Sequence, residues 1–282
     1  MRHRGPALRV PDGERSRRIR FPGHSVTVRL GRRGSLPAMK NDFILIPGLW
    51  MGAWAWEPVT RGLRALGHEV YPLTLPGLAH PNSDVSAIGL ATHVQDVLAL
   101  IERNDLRDVI LVGHSYAGMV AGQVADRVPG RVARTVFLEG FLPHHGRSLL
   151  HAFPERQRTG ELRLIAENRG RWPVPDATVV ADGQDLTARQ ARWLVERFVA
   201  HPGRTLSEPA VLTRPLAAQR ASYIVCDKEH FGGRVSADVA AMREAPGWTF
   251  HSLDTGHWPM VSAPRDLTTV LSTIAAHHFA LS

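Results

Sequence analysis

The stretch VILVGHSYAGMV at 109–120 constrains this chain more than any other. Residues 109–113 read as a buried strand ending in glycine. A lone serine, Ser115, follows between His114 and Tyr116, and Ala117, Gly118, Ala121 and Gly122 then open a helical run. A wholly apolar strand of this kind is covered on both faces, the habit of parallel sheets in α/β proteins. A serine lifted above the C-terminal edge of such a sheet needs a sharp, strained turn, and bulky neighbours at the flanking small positions would collide with it. The helix starting there aims backbone N–H groups and its positive dipole end at the same spot.

The rest of the chain from Asp42 onward keeps the same rhythm. FILIPG (43–48) reads as a strand, AWEPVTRGLRALGH (55–68) as a helix ended by Gly67, and EVYPLTLPG (69–77) as a strand running into a turn. Thr92 and Gln95 form a capping-box pair ahead of VQDVLALIERN, where Val94, Val97, Leu98 and Ile101 line one face. After the 109–113 strand a helix runs through Val128 to the Pro129-Gly130 stop, and RTVFLEGFLP (134–143) is the next strand. Residues 144–220 break the pattern: they carry short helical signals, such as TARQARWLVERFVAH (187–201), and no convincing core strand. This predicts a small helical cap inserted over the sheet. SYIVC (222–226), a helix near SADVAAMREA, the strand WTFHSLD (248–254) and a helix over PRDLTTVLSTIAAHHF complete an α/β domain spanning 39–282, a mainly parallel sheet with helices on both faces.

Composition narrows the function classes. With 282 residues, 44% of them hydrophobic, and no apolar run near 18 residues, the chain can bury one substantial core and shows no membrane span. Its single cysteine, Cys226, excludes an internal disulfide framework, fits a reducing compartment and gives a cytoplasmic expectation. The formal charge of +8 is misleading, because residues 1–38 hold ten arginines and two acids and the rest of the chain balances to zero. The 1–38 segment mixes Pro, Gly and Arg with little periodicity, so it is expected to be mostly disordered, without a signal-peptide apolar region. Of its two readings, an arm for an anionic partner or an inert extension ahead of Met39, the second is expected. Neither nucleic acid nor membrane is an expected partner of the neutral body, and a homodimer is left open.

Gly113-His114-Ser115-Tyr116-Ala117-Gly118, placed between strand and helix, resembles the nucleophile elbow of the α/β-hydrolase family, with Ala117 where glycine is usual. The resemblance covers roughly residues 42–278 and implies the α/β-hydrolase fold, no cofactor and no metal. One oxyanion donor would be the N–H of Tyr116, just after the nucleophile. The loop Pro47-Gly48-Leu49-Trp50-Met51-Gly52-Ala53-Trp54 resembles the H-G-A-x-H-G-A-W loop of the methylesterase and hydroxynitrile-lyase branch, with Pro47 and Met51 in place of the two histidines. That likeness implies the Leu49 N–H as second donor. His257 follows the last strand, precedes the last helix and suits the family's chain order of Ser, acid, His. His251, inside the strand, is expected to be structural. His144-His145 and His277-His278 show no metal-ligand spacing. Lyases of the branch carry a lysine where this chain has Trp258, which argues for the esterase side.

The acid stays open between Glu139, at the end of the TVFLEG strand and first choice, Glu229, which falls where the plant methylesterases carry theirs, and Asp227. Gly48, Trp50, His114, Phe141 and Trp258 are expected around the substrate pocket, although His114 should point to the opposite side of the elbow; Met51, Tyr116 and Leu142 also flank it. An apolar, aromatic-rich pocket suits a small ester with an aryl or alkyl group, or a lactone. A serine nucleophile argues against dehalogenase and epoxide hydrolase chemistry. Lactone or C–C bond hydrolysis on the same triad, or non-hydrolytic sensing of a small molecule, are the competing readings.

Overall fold

Strand β1 (Asp42–Ile46) sets the layering of the molecule. Its Phe43 and Leu45 point to one face of the sheet and Ile44 and Ile46 to the other, all four fully buried. The period-2 alternation of a strand turns an unbroken apolar run into two packing surfaces. In this computed structural model residues 40–228 and 236–279 are described; the 1–38 segment, Met39 and Glu229 lie outside the described residues.

Helix α1 (Glu57–Ala65) leads to β2 (Glu69–Pro72), and α2 (Leu90–Arg103) to β3 (Val109–His114). Helix α3 (Gly118–Arg127) follows the elbow, and β4 (Val132–Leu138) comes next. The 69–77 run is a strand leading into a turn, as expected: β2 ends at Pro72, the Leu73 N–H adds a further ladder bond to Leu45 O at 3.0 Å, and the turn falls at Pro76-Gly77. Helix α2 begins at Leu90, before the Thr92–Gln95 pair. Thr92 sits on its first turn and its Oγ1 accepts the Gly89 N–H at 3.1 Å, satisfying one exposed backbone donor.

Between β4 and the next sheet strand lie helices α4 (Glu155–Glu167), α5 (Ala177–Ala181), α6 (Ala188–Val195) and α7 (Arg204–Ser207). They are joined by a two-stranded antiparallel ribbon of β5 (Arg171–Trp172) and β6 (His201–Pro202). The helix expected over 187–201 is half that length. Thr187 caps it by accepting the Gln190 N–H at 3.2 Å, and it stops at Val195 because Val199 leaves to donate its N–H to Trp50 O at 2.9 Å. The main sheet resumes with β7 (Ala221–Cys226), followed by α8 (Ala237–Ala241), β8 (Trp248–Leu253), a short α9 (Pro259–Ser262) and α10 (Pro264–Phe279).

The six strands lie in the order β2-β1-β3-β4-β7-β8, every neighbouring pair parallel. Val59, Leu63, Leu267, Leu271 and Ile274 from α1 and α10 cover one face; Val94, Val97, Ile101, Val120 and Val124 from α2 and α3 cover the other. Chain order reverses direction across the sheet between β1 and β3, and ligands of open parallel sheets bind in the crevice beyond the carboxyl ends at such a point. Among the described residues, no helix is long and apolar enough to cross a membrane.

Candidate active site

The strand-to-helix corner at Ser115 is built from backbone constraints. Ser115 has φ +53°, a left-handed conformation that non-glycine residues adopt only when their surroundings enforce it. Two glycines make the corner possible. A Cβ at Gly113 would lie 2.5 Å from Ala117 O, and one at Gly118 would collide with Phe141 O. From the other side, the Phe141 N–H donates to Ser115 O at 3.0 Å, tying the elbow to the end of β4. The first N–H groups of a helix lack intrahelical acceptors, so the turn beginning at Ser115 leaves donors at the site.

Two further non-glycine residues, Trp50 (φ +64°) and Glu139 (φ +43°), share this left-handed geometry and line the same cavity as Ser115. Backbone strain of about 1–3 kcal/mol per residue persists where the fold over-determines it, and it clusters at functional sites. The cavity measures about 1060 Å³ and also holds Leu49, Met51, His114, Phe141, Leu142, His257 and Trp258 on its walls. Ser115, His257 and Glu139 therefore line one cavity, and the strand and helix expected on either side of Ser115 are present.

Three sequence expectations need correction. His114 does not turn away from the site: it is fully buried, its ring centroid is 4.7 Å from that of His257, and its Nε2–H donates to His257 O at 2.7 Å. Gly48 is not a wall residue. A Cβ there would meet His114 Nδ1 at 2.7 Å and Ser115 Cβ at 3.1 Å, so its backbone packs against the back of the elbow. The Tyr116 ring likewise turns into the core, where its hydroxyl lies 2.8 Å from His93 Nδ1. His93 Nε2 lies 3.0 Å from the Pro76 carbonyl, which can only accept; the ring therefore donates there, and the Tyr116 O–H donates to Nδ1.

The floor of the site is kept uncharged by burial. Desolvation pushes the pKa of His93 down to about 4 and drives His114 and His201 well below the ordinary histidine range, with neighbouring imidazoles adding to the effect for the last two. Burial raises the Tyr116 phenol in the same way. The expectation for His251 agrees with its place in β8, where burial again takes it to about 4.

Of the candidate acids, Glu139 is half-buried, continues the ladder by donating its N–H to Ile224 O at 3.0 Å, and accepts the Cys226 N–H on Oε1. Asp227 also lines the cavity and donates its N–H to Leu253 O at 2.9 Å. Glu229 lies outside the described residues. The Leu49 N–H has no hydrogen-bond partner among the described residues, as an anion donor requires.

Sequence reasoning missed the residues that hold the loops of the site. The His257 N–H donates to Gln184 Oε1 at 2.6 Å, the Gly256 N–H to Asp185 Oδ1 at 2.9 Å, and Thr255 Oγ1 to Asp185 Oδ2 at 2.8 Å. The Trp50 N–H donates to His201 Nδ1 at 3.2 Å. All three acceptor residues come from the 144–220 region, at least 70 residues away in sequence. No local pattern marks them, since Gln184 and Asp185 stand in an ordinary polar run. Among the described residues no three His, Cys, Asp or Glu side chains group as a metal site.

Comparison with known proteins places this architecture. The chain is 32% identical over 250 residues to a carbendazim hydrolyzing esterase of Nocardioides sp. (strain SG-4G), covering 83% of this chain and 99% of that one. It is 24% identical over 253 residues to methyl jasmonate esterase 1 of Vitis vinifera, covering 83% and 97%. A solved extracellular alpha/beta-hydrolase from a Paenibacillus species, described as sharing structural and functional homology with Tobacco Salicylic Acid Binding Protein 2, superposes with a TM-score of 0.74 at 22% identity over 83% of this chain and 98% of its own. The sequence model of the alpha/beta hydrolase family matches residues 43–269. The chain thus belongs to the alpha/beta hydrolase family and is similar to its methylesterase-like branch.

Proposed function

We propose that this protein is a cofactor-independent serine esterase that cleaves a small carboxylic ester with an apolar or aryl group through an acyl-enzyme. The observation that carries the reading is Ser115, held at φ +53° on a strand–helix corner and facing the cavity that His257 also lines. The esterase names of the relatives support the reaction class, and the mainly apolar cavity walls support an apolar or aromatic substrate.

In this reading Ser115 Oγ attacks the ester carbonyl while its proton passes to the His257 imidazole. The tetrahedral oxyanion sits between the N–H groups of Leu49 and Tyr116, each such donor being worth about 2.7–4 kcal/mol to the transition state. Collapse breaks the bond to the alkoxy group, which leaves as the alcohol after taking the proton from His257. Water, deprotonated by His257, then attacks the acyl-enzyme and releases the acid and Ser115. A carboxylate orients His257: Glu139 is the first candidate, from its place at the end of β4 beside the elbow, and Glu229 the second.

The test is hydrolysis of p-nitrophenyl acetate and butyrate by the wild-type chain and by Ser115→Ala. The expected result is turnover by the wild type and a loss of about 10⁴-fold or more in the variant. Equal turnover in both overturns the reading.

A further inference from the structure

The buried histidine of the inserted region is the group outside the proposed triad with the most direct hold on the site. His201 in β6 is fully buried, and its imidazole touches the residue after one proposed oxyanion donor and the side chain of the other. On one side, its Nδ1 accepts the N–H of Trp50, the residue immediately after Leu49. On the other, its ring stands edge-on to the Tyr116 ring, centroids 4.8 Å apart at 72°. An imidazole nitrogen that accepts an N–H carries no proton, so the neutral tautomer has its hydrogen on Nε2. That nitrogen has no hydrogen-bond partner among the described residues. A buried donor left unpaired costs on the order of 1–3 kcal/mol, so the ring is kept here at the expense of stability.

The conformation being held is itself unfavourable. Trp50 is a bulky residue at φ +64°, and both of its backbone polar groups are taken by the same stretch of the inserted region: its N–H by His201 and its carbonyl by the Val199 N–H at 2.9 Å. Its ring is sandwiched by side chains from that region as well, 4.9 Å from Trp172 and 5.8 Å from Phe198. Among the described residues, no hydrogen bond from β1 or from α1 reaches the Leu49-Trp50 peptide.

We infer that His201 is a positioning residue for the oxyanion hole: by accepting the Trp50 N–H it locks the peptide after Leu49 and so aims the Leu49 N–H into the cavity, while its ring seats Tyr116. This inference rests on the esterase reading above. The main sheet accordingly supplies both donors and the nucleophile's corner, and the inserted region holds the loop of one donor in place.

The experiment compares His201→Phe, which keeps a ring and removes the acceptor, with His201→Asn, whose Oδ1 stands close to where Nδ1 was. Steady-state hydrolysis of p-nitrophenyl butyrate is measured for both, with Ser115→Ala as the control on the reaction itself. The Phe variant is expected to lose about 10- to 100-fold in kcat with KM changed less than about threefold, and the Asn variant to stay within about threefold of wild type, since misplacing one donor costs part of the 10²–10³ that its removal costs. A kcat in the Phe variant equal to wild type, or a loss that the Asn variant repeats in full, overturns the inference while leaving the esterase reading intact. Activity that survives in Ser115→Ala overturns the esterase reading instead. Hydrogen exchange at the Trp50 amide of the wild-type chain provides a check that needs no folded variant: protection well above that of the Leu49 amide is expected, and equal exchange of the two overturns the inference.

Discussion

The sheet edge and the inserted region meet at one cavity, and they are built on opposite terms. At the edge, Ser115, His114 and the residues around them are buried, strained and locked by backbone approaches too close for any side chain. In the insertion, three of the four helices have eight residues or fewer, and the apolar wall residues Leu164 and Val179 stand exposed, at 36% and 53%. The difference teaches a division of labour. Rigid strand ends hold atoms to the tolerance that bond-making needs, whereas a thinly packed cover can vary its wall without disturbing them. Yet the division is incomplete, because Gln184, Asp185 and His201 reach from the insertion to grip the loops of His257 and Trp50.

That contrast can be broken most sharply at the sheet edge. Beyond Ser115→Ala, the largest expected effect is on the carboxylate that orients His257: one of Glu139→Gln and Glu229→Gln should lose about 10⁴-fold in kcat and the other little, as when a triad acid becomes its amide. Glu139→Gln is expected to be the damaging change, and full activity in it with loss in Glu229→Gln reverses the assignment.

The next effect is on stability. Burial holds His93 at about 4 in the fold, against 6.5 for an ordinary histidine. Between those values the unfolded chain binds a proton that the folded chain refuses, so stability is full above about pH 6.5 and falls as pH drops toward 4, by about 3 kcal/mol for this one group. Urea unfolding at pH 7 and pH 4.5 measures it. His93→Gln should lose less stability than wild type across the same interval; an equal loss in both removes His93 as the cause.

A smaller effect is expected where the insertion grips the edge. Asp185→Ala strands the Gly256 N–H and leaves the Thr255 hydroxyl with Ser262 Oγ alone, which predicts a loss of about 1–3 kcal/mol in thermal or urea unfolding together with a fall of about 10-fold in kcat. Loss of stability with kcat unchanged would confine Asp185 to a structural part. The smallest effect belongs to the wall itself: Val179→Ser should shift kcat/KM for butyrate over acetate esters by less than about tenfold and leave unfolding within about 0.5 kcal/mol, as exposed substitutions do. A larger change in stability than in selectivity would erase the contrast between edge and cover.

Much of this was legible before any coordinates. The runs at 43–46, 109–113 and 223–226 read as buried strands, because each is short and apolar without interruption. The serine corner could be read from the small residues packed around it, and His257 from its place after the last strand. At 187–201 and at His114, where expectation and structure part, a distant partner is the reason. The 187–201 helix is cut short by the bond from Val199 to Trp50, and His114 is turned toward His257 by a carbonyl 143 residues away.

The amino-acid sequence alone thus determined the sheet, its two-sided core and the position of the Ser115 turn, since periodicity and small-residue spacing are local and survive without knowledge of neighbours. Only the tertiary structure decided which cover residues hold the loops, which way His114, Tyr116 and Gly48 face, and that the Trp50 N–H finds His201. Those outcomes rest on single hydrogen bonds and ring contacts between segments far apart in the chain, and no local pattern encodes a contact whose other half is elsewhere.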